Sequence, residues 1–253
     1  MEDWIGAVAI VTGASSGIGE AIAIELVKKG LKVVGLARRI DRLNNLKEHL
    51  ENELGEFYPI KCDMTKEEEI LAAFEWIKNT LGSIALLVNN AGYGKYTTLS
   101  EGTTSDWKSI FDVNVMGLCI ATREAIKNMT ENNTAGLIVH MNSIFGHLVP
   151  TTCAETENVY IASKYCVTAL AETLRLELAK SKAPIRVSSI SPGIVDTGLI
   201  AAGGFTDDHL TELYNRVPPL KPVDIANAVL YILSTPRNVN VTELTIRPAG
   251  EIL

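Results

Sequence analysis

The chain is sparing with the residues that would mark several common protein classes. Its four cysteines, Cys62, Cys119, Cys153 and Cys166, include no CxxC pair in 253 residues. They read as small buried hydrophobes of a reducing compartment, not as a disulfide framework. The four histidines (His49, His140, His147, His209) have no HxxxH or HExxH spacing, so the pattern offers no zinc site and no metal is expected. Apolar runs such as Ile84–Val88 fall far short of the roughly 20 residues that a membrane span requires. Basic residues are in deficit, 23 against 30 acidic, for a formal charge of −7. That balance repels a phosphate backbone and argues against nucleic acid or a large acidic protein as partner.

No linker, repeat or low-complexity tract divides the chain, so residues 1–253 are expected to form one domain. A chain of this length buries about three quarters of the surface its unfolded form exposes. The strand-like run Ala7–Val11 starts too early to leave room for a signal or transit peptide, and Glu251-Ile252-Leu253 is no recognised address. A cytoplasmic location is expected.

Strand candidates are Ala7–Val11, Lys32–Leu36, Phe57–Lys61, Ile84–Asn89, Leu137–Met141, Ile185–Ile190 and Leu244–Arg247. Amphipathic stretches near 18–29, 41–53, 66–80, 104–130, 157–180 and 222–234 separate them. Strands apolar on both sides of the pleat must be covered on both faces, which means a parallel sheet sandwiched by helices. Strict alternation of strand and helix then predicts an α/β, doubly wound, seven-stranded parallel fold. Asp41 and Thr65 are candidate N-caps, Gly30 a candidate C′ residue, and Pro222 suits a first helical turn. Two connections, 144–157 and 191–221, exceed the roughly 12–15 residues beyond which a loop is usually functional. Both leave the carboxyl ends of strands, where open parallel sheets place ligands.

The first strand runs into Thr12-Gly13-Ala14-Ser15-Ser16-Gly17-Ile18-Gly19, followed by a helix. Gly13 permits a tight turn, Gly17 lets backbone approach a pyrophosphate, and Gly19 lets helix pack close to strand. The helix N-terminus offers free N–H groups and a positive dipole end to phosphate. The spacing is GxxxGxG rather than GxGxxG, and a plain strand–helix turn is the alternative. After the second strand, Gly35-Leu36-Ala37-Arg38-Arg39 carries no acid until Asp41. An acid there would bind a ribose 2′-OH, whereas guanidinium forks suit a 2′-phosphate of roughly −1.5 to −2 charge. NADP(H) is therefore the expected cofactor; two solvated arginines on a turn are the alternative.

Tyr160 and Lys164 lie four apart in a helical stretch and so share a face. An ammonium about 4 Å from a phenol contributes about 4 kcal/mol at an effective dielectric near 20. The pair is expected to lower the phenol toward the range useful in acid–base work. Taken alone, YxxxK is a common surface pattern; its company changes the reading.

With these motifs together, the chain resembles the short-chain dehydrogenase/reductase family over essentially its whole length. Thr12–Gly19 matches the family's TGxxxGIG and Asn89-Asn90-Ala91-Gly92 its NNAG. Asn114, Ser143, Tyr160 and Lys164 match its catalytic set, and Pro192-Gly193-Ile194-Val195-Asp196-Thr197 its PGxVxT. The resemblance implies a Rossmann-type domain with Tyr160 as acid–base residue and Ser143 hydrogen-bonded to the reacting oxygen. Lys164 would lower the Tyr160 pKa and bind the nicotinamide ribose, and Asn114 would support a water chain. Gly13, Ser15, Ser16, Gly17, Ile18, Gly19, Arg38 and Arg39 would line the phosphates. Asp63 and Met64 would border the adenine, and Asn90, Ala91 and Gly92 would follow along the cofactor. Pro192, Gly193, Val195 and Thr197 would bind the cofactor as well, the last two at its carboxamide. Structural alternatives stand beside these roles: Asn114 bonding nearby backbone, Ser143 capping a strand end, Asp63 capping a helix. Met141, Asn142 and Tyr93 depart from the commoner residues of the family, and Tyr93 is expected to alter the pocket.

Apolar residues crowd both long connections, among them Phe145, Leu148, Val149 and Cys153 in one and Leu199, Ile200, Phe205, Leu210 and Val217 in the other. A flap over about 191–221 covering a hydrophobic alcohol or carbonyl compound is expected, with Ser143, Phe145, Tyr93 and Leu199 against substrate. The alternative is that these residues merely pack the flap shut. Within the family the likeness is to the NADP-dependent farnesol dehydrogenase type and a related type that reduces 3- and 17-ketosteroids. It rests on Met1–Trp4, Lys32–Arg38, Asn142–His147 and Ile246–Pro248. It implies a terpenoid alcohol such as farnesol or, alternatively, a ketosteroid (ecdysteroid-like ones included) as substrate. A non-catalytic dinucleotide- or hydrophobic-ligand-binding protein is the reading from another class. Apolar positions on more than one side of 104–130 and 157–180, with the family resemblance, imply a homodimer or homotetramer.

Overall fold

The computed structural model describes residues 2–151, 157–199, 214 and 217–251. Seven strands form one sheet: β1 Val8–Thr12, β2 Lys32–Ala37, β3 Glu56–Lys61, β4 Ile84–Asn89, β5 Leu137–Met141, β6 Arg186–Pro192 and β7 Glu243–Ile246. Their spatial order is β3-β2-β1-β4-β5-β6-β7, and every neighbouring pair is parallel. The strand order reverses between β1 and β4, which opens a crevice at their carboxyl ends. All five residues of β1 and all five of β5 are buried, because helices cover both faces.

Side chains alternate between two cores. Ala9, Val11, Val33 and Val139 face helices α1 (Gly17–Lys28), α2 (Ile40–His49) and α7 (Pro222–Ser234). Val8, Ile10, Val34, Leu87 and Ile138 face α3 (Glu67–Thr80), α5 (Leu118–Glu131) and α6 (Asn158–Ser181). Each fully buried Val, Leu or Ile contributes about 1.5–3 kcal/mol. Among the described residues no helix is long and apolar enough to cross a membrane.

Local signals explain several element ends. Gly30 has φ +86°, and bonds from Gly30 N to Val27 O and Leu31 N to Leu26 O close α1 as a Schellman motif. Pro222 opens α7, where Asp224 accepts a hydrogen bond from Lys221 N at 2.7 Å.

Three expectations are corrected. The residues at the N-cap positions of α2 and α3 are Arg39 and Lys66, not Asp41 and Thr65. Asp41 instead lies in the first turn, where a negative charge suits the dipole, and Thr65 is held in a turn by Asp63 Oδ1, which accepts from Thr65 N and Oγ1. The stretch 104–130 is not one helix: a π-helical turn, Asp112–Gly117, separates α4 (Thr104–Phe111) from α5.

Of the expected flap, 200–213 and 215–216 lie outside the described residues, as do Cys153 and the rest of 152–156 in the other connection. The flap's two ends are tied. Val195 bridges Leu220, Asp196 N donates to Leu220 O at 2.8 Å, and Leu220 N to Ile194 O at 2.9 Å.

Candidate active site

The crevice wall on the β1 side is built from backbone. Gly13 (φ +70°) and Gly17 (φ +59°) adopt conformations that L side chains rarely take. A Cβ on Gly13 would lie 2.9 Å from Ala91 Cα, and one on Gly19 would collide with Asn90 Nδ2 and Gly13 O. The missing side chains therefore let the Asn90–Gly92 segment close against the glycine turn. Thr12 locks the two together: its Oγ1 accepts from Asn90 N (3.0 Å) and Ala91 N (2.9 Å), while Asn90 Nδ2 donates to Thr12 O (2.9 Å). Across the crevice, Thr197 comes to 3.2 Å from where a Gly17 Cβ would be. The result is a cradle of bare backbone at a helix N-terminus, open to a phosphate.

Arg39 reaches back over this cradle, donating to Ser15 Oγ (2.9 Å) and Ser16 Oγ (2.6 Å). Partial burial and the neighbouring Arg42 and Arg38 charges hold its pKa below the ordinary value. Such crowding of cations beside a phosphate cradle favours an additional anion. Ile18 packs into the core that α1 shares with the sheet. Asp63 follows β3, and Met64 is buried where a side chain on Gly117 would meet its carbonyl, so the π turn abuts this part of the crevice. The residues present thus fit a dinucleotide: small at the pyrophosphate, cationic beyond it, and lined by Asn90-Ala91-Gly92 and Pro192–Thr197 on either side.

The catalytic candidates meet at the other end. Tyr160 and Lys164 occupy the first two turns of α6, and β5 delivers Ser143, which is extended (φ −164°) and caps a short 3-10 turn, Ile144–Gly146. Ser143 Oγ accepts from Phe145 N at 3.2 Å and hydrogen-bonds with Tyr160. The Lys164 ammonium lies 5.7 Å from the Tyr160 ring centre and donates to Met141 O at 2.9 Å. Phe145 meets Tyr160 edge-on with ring centres 6.4 Å apart, and a Cβ on Gly94 would come within 3.5 Å of the same ring. Asn114, inside the π turn, donates to Tyr93 O (2.9 Å) and Ser163 Oγ (3.0 Å) and accepts from Tyr93 N (2.8 Å). Leu199 stands 38% exposed two residues beyond Thr197.

Electrostatics here run against one expectation. Burial raises the Tyr160 pKa above its ordinary value, the Glu157 carboxyl adds to that rise, and the Ser143 hydrogen bond opposes it. Lys164 does not bring the phenol down: burial lowers Lys164 itself to about 8. Burial penalises the charged form of both groups, and the ammonium, which donates to Met141 O, does not offset the desolvation of the phenol. Tyr160 is thus held as a neutral donor at pH 7, beside a readily charged amine.

Three participants are not evident from pattern reading. Ser163, fully buried, links Asn114 to the Tyr160 carbonyl, to which it donates at 2.6 Å; only its place inside YxxxK hints at this. Glu157 is pushed up to about 7 by burial, one turn ahead of Tyr160. Glu251 comes from the far end of the chain.

Known proteins align with this geometry. A family model described as short chain dehydrogenase matches residues 7–204. The chain is 43% identical over 253 residues to farnesol dehydrogenase of Aedes aegypti, covering 99% of each. It is 42% identical over 257 residues to dehydrogenase/reductase SDR family member 11 of Gallus gallus, covering 100% of each. The fold is similar to that of an alcohol dehydrogenase from Thermococcus sibiricus complexed with 5-hydroxy-NADP, with TM-score 0.85, 28% identity and 98% of each chain covered.

Proposed function

The chain belongs to the short-chain dehydrogenase/reductase family, and from that premise we propose that it interconverts a hydrophobic alcohol and its aldehyde or ketone with NADP(H). A terpenoid alcohol such as farnesol is the substrate class. The observation that carries the reading is the buried Tyr160 phenol, hydrogen-bonded with Ser143 and backed by Lys164, at the mouth of a glycine-built crevice.

Bound NADP(H) supplies the hydride donor or acceptor. Everything else falls to the protein. Tyr160 donates its phenolic proton to the carbonyl oxygen in reduction and takes the hydroxyl proton back in oxidation. Ser143 hydrogen-bonds the same oxygen and stabilises the charge that develops on it. Lys164, anchored by its bond to Met141 O, would hold the nicotinamide ribose. Asn114, by bonding Tyr93 and Ser163, fixes the π turn along which a relay of water would reach Lys164. Arg39 with Arg38 binds the 2′-phosphate in forked geometry. Asp63 and Met64 flank the adenine, and Val195 with Thr197 holds the carboxamide. Phe145, Tyr93 and Leu199 supply an apolar surface for the substrate's chain.

Farnesol dehydrogenase activity in the Aedes aegypti relative, and the apolar residues around Tyr160, support this substrate class. Exposed Met116, Tyr165 and Leu176, at 53%, 42% and 53%, support a homodimer or homotetramer. The test is a panel of farnesol, short alcohols and ketosteroids, assayed with NADP(H) and NAD(H). Farnesol with NADP(H) is expected to give the highest kcat/KM. A ketosteroid leading the panel would move the substrate assignment, and no turnover with any member would sink the enzymatic reading.

A further inference from the structure

We propose that Glu251 is a positioning residue for the nicotinamide end of the cofactor, acting through the Gly193–Thr197 loop; this rests on the dinucleotide reading above. After β7 the chain makes a turn, with Glu251 N donating to Pro248 O at 3.1 Å and Gly250 at φ +90°. That turn sends the Glu251 side chain back over the sheet's end, where it is only 1% exposed. One carboxylate oxygen, Oε1, accepts from Ile194 N at 2.9 Å. The other, Oε2, pairs with Arg247 Nε at 2.5 Å. A Cβ at position 193 would collide with both oxygens, so Gly193 is what admits the carboxylate to the loop.

The placement has a purpose that packing alone does not supply. A buried ion pair adds little stability over an apolar pair of the same volume. What this one does is fix the Ile194 peptide, from which the chain continues through Val195 to Thr197 opposite Gly17. The same short stretch carries the bridge to Leu220 at the base of the flap. Among the described residues the polar partners of Glu251 are Ile194, Arg247 and Pro248, all on the β6–β7 side of the sheet, so its influence falls on one end of a dinucleotide.

That asymmetry gives the test. Affinities of NADPH and of adenosine 2′,5′-bisphosphate, which lacks the nicotinamide half, are measured for wild type, Glu251→Ala and Glu251→Gln. Glu251→Ala is expected to weaken NADPH about tenfold and leave the bisphosphate within twofold. Glu251→Gln keeps an acceptor for Ile194 N and is expected to recover most of the loss, to within about threefold of wild type; it also serves if the alanine variant does not fold. Equal weakening of both ligands in either variant, or weakening of neither in Glu251→Ala, overturns the positioning role while leaving the dinucleotide reading intact. Failure of wild type to bind either ligand removes both.

Discussion

The two ends of the crevice are made differently. At the glycine end, backbone does the work: positive-φ glycines, a serine pair under Arg39, and an asparagine segment locked to Thr12. At the α6 end the working parts are side chains removed from water, and their proton affinities follow from that removal more than from their mutual attraction. A cradle of peptide groups binds charge by geometry, whereas a buried phenol and amine handle protons because solvent does not compete.

Changes at the α6 end should have the largest effect. Tyr160→Phe keeps the ring against Phe145 but deletes the proton donor. Turnover is expected to fall by about 10³-fold or more, with NADPH affinity within about twofold, measured by steady-state rates and by equilibrium binding. Retained turnover would erase the contrast between the two ends.

His140, in β5 beneath the same end, tests the claim about burial without touching chemistry. Its ring is fully buried, Nδ1 lies 3.2 Å from Asn89 Nδ2, and burial pushes its pKa down to about 4. The unfolded chain protonates this group near 6.5. Its contribution to stability is therefore complete above about pH 6.5 and is lost as pH falls to about 4, by about 3 kcal/mol in all. Urea unfolding across that range should show the loss in wild type and a flatter profile in His140→Asn. Equal pH dependence in the two proteins would mean that the ring is hydrated.

The smallest of these effects belongs to the glycine end. Arg39→Ala removes the guanidinium from Ser15 and Ser16 but leaves the backbone cradle. Affinity for NADPH is expected to fall about tenfold and that for NADH to change little, because charge-assisted bonds of this kind contribute about 1.5–3 kcal/mol. Parallel losses would place Arg39 among residues that merely shape the loop.

What could be read from the sequence follows the same division. The central strands are legible because apolar runs buried on both faces, such as β1 and β5, leave few other options, and the observed ends of all seven differ from expectation by only a residue or two. The glycine cradle is legible because only glycine satisfies the backbone there. The π turn within 104–130 is not, since its extra residue leaves the apolar periodicity nearly unchanged. Asp41 and Thr65 misled because a capping residue type one or two positions away looks the same in a linear pattern. The raised Tyr160 pKa depends on desolvation and on Glu157, neither of which spacing encodes. Glu251 lies 58 residues beyond Gly193, and only the fold of β6 against β7 brings it back.

Hydride exchange with a hydrophobic alcohol can be followed directly with an isotope. Farnesol carrying deuterium on its alcohol carbon, incubated with the protein and NADP⁺, should yield NADPH bearing that deuterium in step with the aldehyde formed. Aldehyde formed without label in the dinucleotide, or no aldehyde from any alcohol offered, would contradict the account.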